Sequence, residues 1–351
     1  MSGPVAEEST VLARLSPLDR LLPLWILLAM AGGLLLGRLV PGLQALLGAV
    51  QVGHTSLPIA LGLLLMMYPV LAKVRYGELG RVARDRRLLS LALGLVWGLG
   101  PLLMFALAWL FLPDQPAFRT GLILIGIAPC IAMVLIWIDL AQGDREAGAL
   151  LVAINSIVQV LVYALLGGFY LQILPAWLGL DHQAVSFSIG EIAKAVLIFL
   201  GIPLVAGFLT RRIGVGAKGL RWYENTFLPR LGPWALYGLL FTIVVMFALQ
   251  GQAITSHPAQ VVRVALPLLL YFVVMWSVAF LVGQRSGLDY RRTSALAFTA
   301  AGNNFELAIA VSISVWGVTS QQALAGVIGP LIEVPVLVSL VYVSLWLKRI
   351  F

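Results

Sequence analysis

The stretch GIAPCIAMVLIWIDL, Gly126–Leu140, is almost purely apolar, yet it carries Pro129 and the chain's single cysteine, Cys130, in its first half. A proline inside a helix removes one backbone hydrogen bond and crowds the preceding turn. The stretch therefore predicts a buried helix that is interrupted at Pro129. A lone cysteine is commonly a small buried hydrophobe, so Cys130 by itself leaves a purely structural role open.

A second apolar stretch, AFTAAGNNFELAIAV, Ala297–Val311, places Gly302, Asn303 and Asn304 in its middle. Glycine and asparagine both weaken a helix. Backbone groups freed inside a membrane must be satisfied by protein or water, because lipid offers no partner. The two amides can serve that purpose or contact a solute. An ordinary kink is the alternative.

The composition is that of an integral membrane protein. Hydrophobic residues make up 61% of the 351 residues and charged residues only 11%, against roughly 45–50% and 25% in soluble domains. The net charge of +8 lies in short loops, which points to membrane topology and not to nucleic acid. A single cysteine excludes an intramolecular disulfide framework and a multi-thiolate metal site.

Long apolar runs predict an all-α fold with ten transmembrane helices in one transmembrane domain, residues 1–350. The predicted spans are Leu21–Val40, Leu57–Ala72, Leu88–Leu112, Thr120–Ala141, Ala147–Leu174, Ile189–Leu209, Leu231–Gln250, Val262–Gly283, Thr293–Val315 and Ala323–Leu347. The loop cations predict orientation: with a cytoplasmic N-terminus, 19 of the 23 lysines and arginines lie inside. Positive charge collects on the cytoplasmic side of membrane proteins, so both termini are expected there.

Ten spans divide into two halves of five, and an odd number per half makes the halves face opposite ways. An offset of 174 residues pairs Pro129 with Asn303, Cys130 with Asn304, and Gln159 with Glu333. The pattern predicts inverted repeats at about 18–180 and 188–350, with helices 4 and 9 broken near the midplane. Inverted repeats with interrupted helices are typical of secondary transporters, which bind their solutes near the midplane.

Two acids fall within the predicted spans. A carboxylate in the bilayer is costly and usually serves a function, so Glu306 is a candidate for binding protons or substrate. Glu333, between two prolines, either carries a proton or satisfies freed backbone groups. Gln159 and Asn155 are expected to be structural. Asp139, at the end of span 4, is expected to form part of a solvated loop with the neighbouring charges.

The sequence lacks the usual parts of an enzyme. His54, His182 and His257 all fall in predicted outer loops, and no metalloprotease, Walker or nucleophile-elbow motif is present. Neither catalytic residues nor a cofactor is predicted. Uphill transport would then need an ion gradient or a separate cytosolic ATPase.

Three runs resemble the Acr-type arsenical-resistance permeases, within the bile acid/arsenite/riboflavin transporter superfamily. They are Ile125–Asp144, Phe298–Ile313 and Gly329–Val343, and the resemblance extends from about Leu18 to Lys348. It implies ten helices in inverted repeats within the cytoplasmic membrane, with helices 4 and 9 crossing at their breaks at the midplane. It also implies efflux of arsenite, sometimes antimonite, in exchange for protons, with Cys130 and Glu306 as the essential cysteine and glutamate.

The resemblance suggests a mechanism in which Cys130 exchanges with one hydroxyl of arsenous acid, since soft arsenic prefers sulfur. Asn303 and Asn304 would hydrogen-bond the remaining hydroxyls, and Glu306 would carry the proton. A sodium-coupled organic-anion symporter of the bile-acid type is the rival on the same fold, with Glu306, Asn303 and Gln159 as sodium ligands. A membrane receptor or scaffold without flux is a further alternative.

Overall fold

The computed structural model describes residues 21–40, 42–43, 51–52, 55–76, 85–131, 133–180, 186–256 and 258–351. Some residues used for the sequence predictions lie outside these ranges: the three histidines, and the loop arginines Arg14, Arg20, Arg81 and Arg84.

Helices make up nearly all of the described chain. In chain order they are α1 (Leu22–Leu39), α2 (Leu57–Ala72), α3 (Arg86–Phe111), α4 (Pro116–Gly126), α5 (Val134–Leu140), α6 (Arg145–Trp177), α7 (Ile189–Lys218), α8 (220–256), α9 (Pro258–Arg285), α10 (Tyr290–Ala301), α11 (Phe305–Trp316) and α12 (Gln321–Leu347). A short 3₁₀ turn, Lys348–Ile350, follows α12, and a two-residue antiparallel pair joins Gln51–Val52 to Thr55–Ser56.

The predicted all-α membrane class is confirmed. Within the described ranges, six helices are long and apolar enough to cross a membrane, and four shorter apolar helices accompany them. The prediction of Leu57–Ala72 coincides with α2, whereas span 4 begins earlier than predicted, at Pro116. Proline is favoured in the first turn of a helix because its missing N–H is not needed there.

Four of the long helices contain a π-helical turn that the sequence analysis did not predict. Each turn ends two residues before a proline, which has no N–H for the carbonyl four residues earlier and crowds it with its ring. A widened turn accommodates that defect without ending the helix. The four are Gly94–Leu99 before Pro101, Phe169–Ile173 before Pro175, Leu197–Gly201 before Pro203 and Tyr223–Phe227 before Pro229.

The helices pack as two groups. We call α1, α2, α8 and the part of α7 from Ile202 onward the panel, and the remaining helices the core. Glycines allow close approach within the panel: a Cβ on Gly207 of α7 would stand 2.7 Å from the carbonyl carbon of Leu71 in α2. Small residues at such contacts are typical of membrane helices, where packing drives association.

Candidate functional site

The two predicted helix breaks lie side by side in the core. The first break lies between α4, which ends at Gly126, and α5; it contains Pro129. The second lies between α10, which ends at Ala301, and α11; it contains Asn303. Pro129 and Asn303 form an antiparallel bridge. The amide of Cys130 donates to the carbonyl of Gly302 at 3.0 Å, and the amide of Asn304 donates to the carbonyl of Ala128 at 2.7 Å. Each break thus satisfies backbone groups of the other in a place where lipid would offer no partner.

This pair of hydrogen bonds is symmetric under the 174-residue offset. Ala128 and Gly302 are one offset pair, and Cys130 and Asn304 are another. If each residue is replaced by the one 174 positions away, the hydrogen bond from Cys130 to Gly302 becomes the one from Asn304 to Ala128. An antiparallel bridge between two residues that are one offset apart gives this arrangement.

A second pair of contacts follows the same offset. On one side, Gln159 Nε2 donates to the carbonyl of Pro129 at 3.3 Å. On the other, the amide of Asn303 donates to Glu333 Oε1 at 3.4 Å. Gln159 of α6 therefore contacts the first break and Glu333 of α12 contacts the second, so each side chain binds the break in its own half of the chain.

The two asparagines take different roles in this network. Asn304 is engaged at both ends of its amide: Oδ1 caps α11 by accepting from the amide of Leu307 at 3.0 Å, and Nδ2 donates to Gln159 Oε1 at 3.2 Å. Asn303 Nδ2 donates to the carbonyl of Ile125 at 2.9 Å, near the end of α4. Among the described residues, Asn303 Oδ1 is buried and accepts no hydrogen bond, so it is the free amide oxygen of the pair.

The thiol of Cys130 is nearly buried, with 3% of the residue exposed, and its side chain lies against Gly302. A Cβ added to Gly302 would stand 3.0 Å from Cys130 Cβ and 3.7 Å from its Sγ. Glycine at position 302 therefore leaves the space that the cysteine side chain occupies.

The two predicted acids lie in different surroundings. Glu306 is in the first turn of α11, where the helix dipole favours negative charge, and it faces an open crevice. Glu333 is fully buried in α12; besides the contact of its Oε1 with Asn303, its Oε2 has no hydrogen-bond partner in the described part of the chain.

Asn155 is the one predicted supporting residue that we do not find in this network. Its Oδ1 accepts from Trp97 Nε1 at 3.1 Å, and its Nδ2 is buried without a partner among the described side chains. The sequence analysis did not single out Trp97, which lies in the π-helical turn of α3. No local signal in the sequence connects the two residues.

The crevice beside Glu306 lies between the panel and the core and has a volume of about 190 Å³. Its panel wall comes from α2 and α8, and its core wall includes Ile131, the residue after Cys130. Lys73, Asp139 and Arg145 also line it, and Arg145 Nη1 contacts Asp139 Oδ2 at 2.6 Å. Asp139 pairs with a charge of the predicted cluster, but it lies in the last turn of α5 and not in a loop, and it also lines the crevice.

Residues 60–257 match the model of the Sodium Bile acid symporter family. The arsenical-resistance protein Acr3 of Corynebacterium glutamicum is 60% identical over 335 residues, which cover 95% of this chain and 90% of the relative. The Acr3 protein of Alkaliphilus metalliredigens is 30% identical, with 93% and 92% covered, and an uncharacterised transporter of Synechocystis is 32% identical, with 94% and 90% covered. The chain therefore belongs to the Sodium Bile acid symporter family, whose members are transporters and not enzymes, and within it to the Acr3 arsenical-resistance proteins.

Proposed function

We propose that this protein exports arsenite from the cytosol across the cytoplasmic membrane in exchange for protons, and that antimonite is a second substrate by the same soft-centre chemistry. The observation that carries the proposal is the position of Cys130. The only thiol of the chain is held at the contact of two broken helices, next to a crevice-lining residue. Two of the relatives reported above are named arsenical-resistance proteins.

Cys130 would bind the substrate by ligand exchange. Its thiol replaces one hydroxyl of As(OH)₃: an arsenic–sulfur bond forms, an arsenic–oxygen bond breaks, and the thiol proton leaves with the hydroxyl as water. Soft arsenic selects sulfur over the oxygen ligands around it. A single sulfur keeps the bond exchangeable, which release requires. Asn303 Oδ1 is the amide oxygen free to accept from a remaining hydroxyl, while Asn304 holds the loop in place.

Glu306 would couple this step to protons. It faces the same crevice as Ile131 and lies two residues beyond the capping residue Asn304. A proton accepted from outside weakens substrate binding and promotes release, and the proton leaves to the cytosol after the return step. Among the crevice residues, Lys73 and Arg145 are cations next to helix ends. By the positive-inside rule, this supports a crevice open to the cytosol.

The scheme uses ten membrane-spanning segments in inverted repeats, with α4–α5 and α10–α11 as the broken ones and both termini in the cytosol. The helix bounds support the repeat: Pro116 and Tyr290, the first residues of α4 and α10, are 174 residues apart. The bridge between Pro129 and Asn303, which are also 174 residues apart, supports it as well. Rocking of the panel against the core around this fixed contact would alternate access.

The test is arsenite uptake into everted vesicles with an imposed proton gradient. We expect Cys130→Ser and Glu306→Gln each to abolish most of the flux, whereas Glu146→Gln, an exposed acid in the first turn of α6, should retain it. Arsenite uptake that survives in Glu306→Gln with its gradient dependence intact would refute the coupling role. A sodium gradient that drives uptake instead, with Cys130→Ser unharmed, would favour the sodium-symporter alternative.

Glu333 is proposed as a second proton-coupling group, and substitution separates this role from a structural one. Glutamine keeps an oxygen that can accept from the amide of Asn303, whereas leucine removes it. A coupling role predicts that Glu333→Gln folds normally but loses flux driven by the proton gradient. A structural role predicts that Glu333→Gln transports normally and that only Glu333→Leu fails.

A further inference from the structure

The walls of the crevice are apolar to an extent that a trihydroxide does not require. Among the described residues, seventeen line it, and apart from the charged Lys73, Asp139, Arg145 and Glu306 these are aliphatic, methionine or glycine. Arsenous acid presents three hydroxyls, which gain nothing from aliphatic side chains. Apolar walls stabilise a ligand that has apolar surface to remove from water.

The size of the crevice points the same way. Its volume is about 190 Å³, whereas an apolar protein cavity of roughly 150 Å³ binds benzene. The crevice is thus large enough for an aromatic ring next to Ile131, the neighbour of Cys130. Ala235 and Leu236 of α8 form part of its panel wall, and Ile131 and Glu306 contribute to its core wall.

We propose that the site also transports monoaryl arsonous acids, R–As(OH)₂, in which R is a benzene-sized group seated in the crevice. The inference rests on the proposed function, because it uses the same exchange at Cys130. The thiol replaces one of the two hydroxyls: an arsenic–sulfur bond forms, an arsenic–oxygen bond breaks, and water leaves. No oxidation or reduction is involved. The remaining hydroxyl is available to Asn303 Oδ1, and the ring lies between the panel and the core.

The experiment uses the purified full-length protein in proteoliposomes, with arsenite and phenylarsonous acid as probes. Arsenic accumulation is measured for each compound, and so is the phenylarsonous acid concentration that halves arsenite uptake. We expect the wild type to accumulate both compounds in a Cys130-dependent way. Because the chain has one cysteine, phenylarsonous acid cannot crosslink two thiols within it.

Two crevice variants locate the ring. Ala235→Leu fills space, and Leu236→Asn replaces an aliphatic wall with an amide; the control is Phe241→Leu, on the same helix, 46% exposed and outside the crevice lining. The half-inhibitory ratio is the concentration of phenylarsonous acid that halves the uptake of labelled arsenite, divided by the concentration of unlabelled arsenite that does so. We expect each crevice variant to raise this ratio at least tenfold. The control should leave this ratio within about twofold of the wild type, and the melting temperature of each purified variant reports its folding.

The outcomes distinguish the two proposals. Arsenite transport without any accumulation of phenylarsonous acid overturns the inference and leaves the proposed function intact. Accumulation with the same half-inhibitory ratio in the wild type and in both crevice variants also overturns it, since the ring would then lie elsewhere. A wild type that transports neither compound overturns the proposed function and the inference with it.

Discussion

A single methyl group at Gly302 should disturb the cysteine site without any backbone strain. Gly302 has φ −74° and ψ 144°, a conformation open to alanine. An alanine Cβ would nevertheless stand 3.0 Å from Cys130 Cβ, about 0.5–1 Å inside the optimal carbon–carbon separation. Cys130 cannot simply withdraw, because its amide is bonded to the carbonyl of Gly302 itself at 3.0 Å. Rotation of the thiol moves Sγ and leaves Cβ in place, so the contact is relieved only if the backbone shifts and the bridge lengthens.

Overpacking of this kind costs about 1–3 kcal/mol. If the whole cost falls on the transport-competent geometry, arsenite flux in Gly302→Ala should fall by roughly 5- to 150-fold. The measurements are arsenite uptake in everted vesicles and the melting temperature of the purified protein in detergent. We expect both flux and melting temperature to fall, because the hydrogen bonds of the bridge lengthen when the backbone shifts.

The matched control is Gly32→Ala in α1, where an added Cβ would meet nothing within 4 Å. Alanine there should keep wild-type flux and stability, or gain slightly from better helix propensity. Wild-type flux and melting temperature in Gly302→Ala would refute the reasoning, because Cys130 would then not depend on the space that glycine leaves.

Three further outcomes are expected. Gly329→Ala should lower the melting temperature, because the new Cβ would overlap the ring of Phe305 at the start of α11. Such overpacking costs about 1–3 kcal/mol or more. An unchanged melting temperature would contradict this close packing of α12 against α11. Asn304→Ala should destabilise by roughly 2–4 kcal/mol, since the helix cap is lost and Gln159 Oε1 loses its donor, while Asn304→Asp should recover the part due to the cap. The hydrogen bond from Arg263 lowers the pKa of Asp114, an exposed loop acid. The stability from this pair is therefore present above the ordinary aspartate pKa of about 3.9 and lost as pH falls through the lower folded value. Melting curves of the wild type and Asp114→Asn should differ by a constant, small amount from pH 8 to 5 and converge below about pH 4; convergence between pH 7 and 5 would contradict this.

The sequence predicted the residues at the bridge better than their roles. Pro129, Gly302 and the two asparagines stand out because each weakens a helix locally, and local effects are readable from composition. Whether an asparagine oxygen is free depends on its partners. Asn304 contacts Gln159, which is 145 positions away in the chain, and no pattern within either segment predicts that contact.

By itself, the sequence determined the class of the protein, the approximate bounds of the helices and the two positions where helices are interrupted. Hydropathy and helix propensity depend on neighbouring residues, so both can be read from the sequence. It also supplied the 174-residue offset that joins Pro129 to Asn303. Only the tertiary structure decided that these two residues lie directly against each other, that Asp139 lines a crevice, and that Asn155 pairs with Trp97. Those facts arise from packing between distant segments, where each buried polar group takes whichever partner the folded chain brings within reach.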